Sequence, residues 1–264
     1  MKITIIGAGS MGGTAASSFS SSSLFTADDI TVTARHQETL DSFRDTGIHT
    51  SLSNVDAIKG ADIIILAVRP AIAESVVREI APVVDFANQI VISFVAGVPS
   101  CRYFEWFSGV AGNQEMPSFF LAMPNTAMEL NEGLTFISPI NAKPIQVSLV
   151  KAIFDSVGKS VIIEEELMNA GMALASCGLA YAMKYILSSV QGGIKLGFER
   201  DAAIKVVLQT VKGAAMLVSA HNADPEEEIN KIATPGGYTI KGLREMENSD
   251  FSEVVLRALD ASSK

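Results

Sequence analysis

Histidine, cysteine, clustered positive charge and long apolar runs are all scarce in this sequence, and each scarcity removes a class of function. The 264 residues hold three histidines, His36, His49 and His221. None stands at metal-ligand spacing from another ligand type, so no metal centre is expected. The two cysteines, Cys101 and Cys177, form no Cys-x-x-Cys pair, and free thiols in a cytoplasmic protein are the simplest expectation. Lys and Arg number 20 against 29 Asp and Glu, a net charge of −9 without a basic block, so no nucleic-acid partner is expected. The richest apolar run, Ile63 to Val68, is strand-length, whereas a membrane span needs roughly 20 residues. No membrane partner is expected on that ground. Lys2 leads at once into Ile3-Thr4-Ile5-Ile6 and then Gly7, the pattern of a first buried strand and not of a signal peptide.

Apolar material, by contrast, is plentiful. Hydrophobic residues make up 48% of the chain and the mean hydropathy is +0.31, which excludes disorder and fits helices buried at a subunit interface. The first half alternates short apolar strands (2–6, 30–33, 62–67, 89–94) with helical stretches (10–22, 37–46, 54–59, 71–80). Further strands are expected at 118–122 and 133–138. Strand and helix in alternation predict a doubly wound Rossmann sheet over residues 1–160. From about Glu164 the apolar residues return at helical spacing, as in Leu179, Met183, Ile186 and Val190. Asp224 reads as an N-cap before Pro225 and the acidic turn Glu226 to Glu228. Residues 161–264 are therefore expected to form an all-helical dimerisation domain. Its helices are too apolar for about 100 residues to bury alone, so a homodimer through them is expected.

Gly7-Ala8-Gly9-Ser10-Met11-Gly12 follows the first strand and opens a helix, the context that a dinucleotide loop requires. The first glycine allows a tight turn, the second admits a pyrophosphate, and the third lets helix approach strand. The helix N-terminus then offers amides to the phosphates. After the second strand comes Thr33-Ala34-Arg35-His36, with no acid, whereas NAD enzymes usually place an acid there. Arg35 pairing with a 2′-phosphate, helped by the Thr33 hydroxyl, predicts NADP(H) preferred over NAD(H). One charge-assisted bond of roughly 1.5–3 kcal/mol corresponds to about 10- to 150-fold. The bland alternative is a solvated loop arginine. A second anion cradle is Thr234-Pro235-Gly236-Gly237-Tyr238-Thr239, a turn with unshielded amides running into a helix. Taken alone it reads equally well as an interhelical turn.

Several motifs in order resemble one family, the pyrroline-5-carboxylate reductases. Ala233-Thr234-Pro235-Gly236-Gly237-Tyr238-Thr239-Ile240-Lys241-Gly242-Leu243 looks like its C-terminal signature, and Ile6 to Gly12 like its cofactor loop. Ala67-Val68-Arg69-Pro70, Ser93-Phe94-Val95-Ala96-Gly97-Val98, Met123-Pro124-Asn125-Thr126 and Gln209 to Ala215 match in turn. The resemblance implies NADPH-dependent reduction of a cyclic imine, Δ1-pyrroline-5-carboxylate, to L-proline. It places the cofactor on Gly7, Gly9, Ser10, Met11, Gly12, Arg35, Ala67, Val68, Arg69, Pro70, Ala96 and Asn125. The small-molecule substrate would sit on Thr234, Gly236, Gly237 and Tyr238, with the Thr239 hydroxyl beside the ring nitrogen as the catalytic contact. It further implies dimers through the C-terminal helices, assembled in some members into rings.

The chain departs from the family around the expected substrate site. Ser176-Cys177-Gly178-Leu179 stands where Gly-Ser-Gly-Pro is usual, Leu121 where arginine is common, Ala127 where proline follows, and Tyr238 where a small residue is normal. Two alternatives stay open: a reductase or dehydrogenase of another small imino or hydroxy acid, and a non-catalytic NADP(H)-binding paralogue. Cys177 reads as a packing thiol and Lys184 as a snorkelling side chain, each against a catalytic reading.

Overall fold

The computed structural model describes residues 1–111, 116–221 and 223–264. Six strands run parallel: β1 (Ile3–Ile6), β2 (Ile30–Thr33), β3 (His49–Ser51), β4 (Ile63–Leu66), β5 (Ile90–Ser93) and β6 (Ser118–Met123). Every residue of β1, β4 and β5 is buried. A parallel sheet covered on both faces selects unbroken Ile and Val, and this is why these strands stood out in the sequence. β7 (Gly133–Asn141) pairs antiparallel with β6, and β8 (Gly158–Ile162) runs parallel to β7. The order is β3-β2-β1-β4-β5-β6-β7-β8, so the first six strands have the doubly wound arrangement.

Helices α1 (Ser10–Ser20), α2 (Gln37–Leu40), α3 (Asn54–Ala57), α4 (Pro70–Ile80), α5 (Ser100–Ala111), α6 (Pro144–Asp155) and α7 (Met168–Gly171) accompany the sheet. Two apolar clusters form. One gathers Phe19, Phe25 and Phe154 with Ile3 and Ile5; the other gathers Tyr103, Trp106 and Phe107 with Ile64 and Val91. β3, β8, α5 and α6 go beyond the elements read from the sequence. β3 is an edge strand of His, Thr and Ser, and β8 is mostly exposed, so neither carries a core-facing pattern. The helix expected over 37–46 is shorter: α2 passes into a 3₁₀ turn at Asp41–Phe43.

The chain divides into compact units at residues 1–176 and 177–264, later than the expected 160/161. Met168 belongs to the second apolar cluster, so the segment after β8 packs with the sheet. The backbone passes from α7 through a π-helical stretch, Met172–Cys177, into α8 (Gly178–Lys195). The widened turn leaves the Ala175 carbonyl to the buried Asn125 amide, at 3.1 Å. The second unit continues with α9 (Arg200–His221), α10 (Pro225–Ile232), α11 (Tyr238–Asn248) and α12 (Phe251–Ser262). Asp224 caps α10 as expected, accepting from the Glu226 and Glu227 amides at 2.8 and 3.3 Å. A Cβ on Gly193 would lie 3.2 Å from Ala203 Cβ, so the glycine allows α8 and α9 to approach. The Tyr181 hydroxyl ties α8 to α12 through Ser262 and the Ala258 carbonyl.

Of the expected face on α8, Val190 is buried while Met183 is 57% exposed. Met216, Leu217, Val254 and Leu256 are likewise exposed. The expectation that no segment is apolar enough for a membrane span needs correction. Residues 165–195 and 200–220 are helical, and by length and composition both are long and apolar enough to cross one. Lys184 in the first and Lys205 and Lys212 in the second break the apolar run without lowering the average hydropathy enough to exclude a span. The same composition belongs equally to helices that a second subunit covers.

Tyr103 gives the core a pH dependence. Its phenol is fully buried and shares a hydrogen bond with the Ser93 hydroxyl at 2.6 Å. Burial pushes its pKa from 10.0 up to about 12, against the opposing pull of Ser93. A folded-state value above the unfolded one means the stability is complete below pH ~10 and is lost as pH rises through ~12. The loss expected across that window is about 2–3 kcal/mol. Urea unfolding of Tyr103→Phe checks this. The variant is expected to lose about 1 kcal/mol at neutral pH and to lack this part of the alkaline decline. An alkaline decline identical to the parent's would rule Tyr103 out as its source.

Candidate functional site

The turn between β1 and α1 is set by its three glycines. Gly7 has φ +106°, and a Cβ there would lie 2.6 Å from the Ala67 carbonyl oxygen. A Cβ on Gly12 would lie 2.0 Å from the Gly7 oxygen, so α1 packs directly on the strand end. Gly9 is the opposite case: nothing lies within 4 Å of a Cβ built on it. The Gly7 and Ala8 amides donate to Thr33 O at 3.0 and 2.8 Å and tie the turn to β2. Gly9 is the N-cap of α1 and supplies no side-chain cap, so the first helical amides lack a side-chain acceptor. Two closed glycines and one open one leave a place where an anion can approach the backbone at a helix N-terminus.

A cleft of about 660 Å³ lies against this turn, at the carboxyl ends of β1, β2 and β4. Its lining includes Gly7, Gly9 and Ser10 from the turn, Arg35 and His36 after β2, and Ala67, Val68 and Arg69 after β4. Arg35 is exposed and makes no ion pair among the described residues. Thr33 differs from expectation: it is 1% exposed and its hydroxyl donates to Asn54 Oδ1 at 2.6 Å. Burial within β2 and this bond leave it no proton for a phosphate. The same amide donates from Nδ2 to Glu79 Oε2 at 3.0 Å. Asn54 and Glu79, together with Leu52, Ile72 and Ser75, line the cleft without having been foreseen. Ser53 caps α3, its hydroxyl accepting from the Asp56 amide at 3.1 Å.

The remaining expected cofactor residues lie outside this lining. Met11 and Ala96 are partly buried against the two apolar clusters, and Pro70 opens α4. Gly12 is enclosed by the turn. Asn125 is 7% exposed. Besides the bond to Ala175, its Oδ1 accepts from the Ala127 and Leu134 amides at 3.2 and 3.3 Å. A second cleft of about 440 Å³ lies at the ends of β5 and β6, with Leu121 in its wall. Glu165 and Glu166 line it, with no Lys or Arg among the described lining residues. Glu165 is committed to α5, accepting from Ser100 N and Oγ at 2.7 and 2.6 Å.

In the second unit, Thr234, Gly236, Gly237, Tyr238 and Thr239 meet on the turn between α10 and α11. Gly236 has φ +77°, and the Gly237 amide donates to Thr234 O at 3.0 Å. A Cβ on Gly237 would lie 2.8 Å from Thr234 Oγ1, so glycine keeps the hydroxyl close to the helix start. Gly237 caps α11 with no side chain. The first amides of the helix therefore stand beside the hydroxyls of Thr234 and Thr239, both exposed. Tyr238 is 92% exposed, with Lys241 Nζ 5.5 Å from its ring centre. The group of donors has the composition of a carboxylate cradle.

Residues 165–264 match the family model described as pyrroline-5-carboxylate reductase dimerisation. Residues 2–97 match a model described as NADP oxidoreductase coenzyme F420-dependent. A pyrroline-5-carboxylate reductase of Synechocystis sp. is 32% identical over 217 residues, covering 81% of this chain and 78% of that protein. Pyrroline-5-carboxylate reductase 1 of Dictyostelium discoideum is also 32% identical, over 99% of this chain, but the match spans only 48% of that relative's own length. The crystal structure of Plasmodium falciparum pyrroline carboxylate reductase with NADP bound superposes with a TM-score of 0.88 at 26% identity, covering 100% of this chain and 95% of that one.

Proposed function

The chain belongs to the pyrroline-5-carboxylate reductase family, and from that premise we propose that it reduces Δ1-pyrroline-5-carboxylate to L-proline with NADPH. The observation that carries this reading is the glycine turn, closed at Gly7 and Gly12 and open at Gly9, beside a cleft with Arg35 and no acid at the end of β2. Gly7, Gly9, Ser10, Met11 and Gly12 hold the pyrophosphate on backbone amides, and Arg35 pairs with the 2′-phosphate. Ala67, Val68 and Arg69 form the opposite wall at the end of β4, and Pro70 holds that wall from behind as the first residue of α4. Ala96 and Asn125 belong to the same site as supports, since the Asn125 amide fixes the turns around it. When bound, the nicotinamide supplies the hydride that the imine carbon accepts.

Thr234, Gly236, Gly237 and Tyr238 receive the substrate carboxylate, and the Thr239 hydroxyl holds the ring nitrogen. A protonated imine is already electrophilic, so orientation and electrostatics do more than a strong acid. That agrees with a loop of hydroxyls and amides without a histidine. The exposed apolar faces of α8, α9 and α12 form a homodimer interface, and such dimers are the unit from which a ring would assemble. The exposed Cys101 and the unpaired Cys177 suit a reducing, cytoplasmic setting.

Leu121 favours a second reading. The cleft it lines has two carboxylates and no cation among its described residues, which is better matched to an imine without a carboxylate than to an anionic one. Initial rates with NADPH separate the two. Turnover of pyrroline-5-carboxylate well above that of an uncharged cyclic imine supports the first, and the reverse order supports the second. NADPH binding without turnover of either would overturn both and leave another small imino or hydroxy acid as the substrate, or a non-catalytic role. For Thr239→Ala we expect kcat to fall about 10- to 100-fold with NADPH affinity unchanged. An unaltered kcat would take Thr239 out of the mechanism.

A further inference from the structure

Resting on the reading of the first cleft as an NADP(H) site, we propose that Glu79 sets the cofactor preference in opposition to Arg35. Among the described residues, Glu79 is the one carboxylate lining that cleft. It reaches the cleft from the last turn of α4, 25 residues beyond its partner Asn54. Glu79 is exposed and no Lys or Arg pairs with it among the described residues, so within the cleft its charge is opposed only at longer range, by Arg35 and Arg69.

Glu79 acts in two ways. As an acceptor it fixes the Asn54 amide: Nδ2 must face the carboxylate at 3.0 Å, and Oδ1 therefore faces Thr33. Turning the amide over would set its oxygen against a carboxylate, which can only accept, whereas the Thr33 hydroxyl could accept from Nδ2 instead, so it is Glu79 that decides the orientation. As a charge it acts on whatever anion Arg35 recruits. NADPH brings a 2′-phosphate near −2 where NADH brings a neutral hydroxyl, so a carboxylate in the same cleft penalises NADPH and leaves NADH almost untouched. The preference is the net of Arg35 and Arg69 against Glu79, and Glu79 lowers the ratio of NADPH to NADH affinity by weakening NADPH.

The test is direct titration of NADPH and NADH into the purified full chain, for the parent, Glu79→Gln, Glu79→Ala and Arg35→Ala. Glutamine keeps an acceptor for Asn54 and removes the charge. We expect Glu79→Gln to bind NADPH ~3- to 10-fold more tightly at low salt with NADH changed less than twofold. That gain is expected to shrink as salt shortens the screening length to about 8 Å or less, a dependence that a purely structural role would not show. Glu79→Ala frees Asn54 as well, so it is expected to bind both cofactors more weakly than Glu79→Gln. Arg35→Ala is expected to weaken NADPH alone. Equal shifts for both cofactors in Glu79→Gln, or no shift, would overturn the proposal while leaving the cofactor reading intact. A parent protein that binds neither nucleotide would overturn that reading itself, and the role of Glu79 with it.

Discussion

Gly12→Val is expected to abolish nucleotide binding and to destabilise the sheet-containing unit. Even the first carbon of a side chain at Gly12 would stand 2.0 Å from the Gly7 carbonyl oxygen and 3.0 Å from Ala67 Cβ. The obstruction is backbone, which cannot swing aside as a flexible side chain could. α1 would have to leave the end of β1, and its amides would no longer converge at Gly9. Overpacking of this kind typically costs 1–3 kcal/mol, and more where backbone must shift. Gly9→Ala is the informative partner, because its Cβ meets nothing within 4 Å. Its melting temperature is expected to stay within about 2 °C of the parent, on the scale of roughly 2–4 °C per kcal/mol for a chain of this size. Its NADPH affinity is expected to fall about tenfold or more, since the new methyl occupies the approach to the backbone. Thermal melts and nucleotide titrations on both variants separate the two roles. Tight NADPH binding by Gly9→Ala would show that the pyrophosphate does not lie against Gly9.

The second large effect is expected from a charge placed on the apolar helices. Met216 on α9 is 58% exposed, and in a homodimer through these helices Met216→Glu places a carboxylate where an apolar side chain is buried. Burying such a side chain contributes about 1.5–3 kcal/mol, and in a two-fold interface each substitution acts twice. Dimer dissociation is therefore expected to rise by about 10²- to 10⁴-fold. Sedimentation velocity reads this directly. The parent is expected to sediment as a dimer or larger assembly and the variant as a monomer that still binds NADPH. A monomeric parent would refute the interface. A parent that pellets unless detergent is present would favour the other reading of two helices long enough to span a bilayer.

Much of the nucleotide half was readable because its signals are local. Buried parallel strands require continuous Ile and Val over four residues, as in Ile63–Leu66. The glycine turn joins strand to helix within six residues, and each glycine's task follows from the space around it. Asp224 and Pro225 fix the start of α10 in the same local way. The edge strands were not readable, because β3 and β8 answer to a neighbour's hydrogen bonds and not to a core-facing pattern of their own.

The tertiary structure decided what depends on residues far apart in sequence. Thr33 was expected to serve a phosphate, yet its hydroxyl is buried and given to Asn54, 21 positions on. Asn125 carried no sign that its amide would meet Ala175, 50 positions away, where a π-helical turn exposes a carbonyl. Glu79 carries no local sign of a role, and only folding brings it within 3.0 Å of the Asn54 amide, 25 positions away. The sequence determined the backbone of the cofactor turn, because steric limits on glycine act between neighbours. Which polar groups remain free to meet a ligand is decided only when folding brings distant donors and acceptors together, since each buried one must first be satisfied by another.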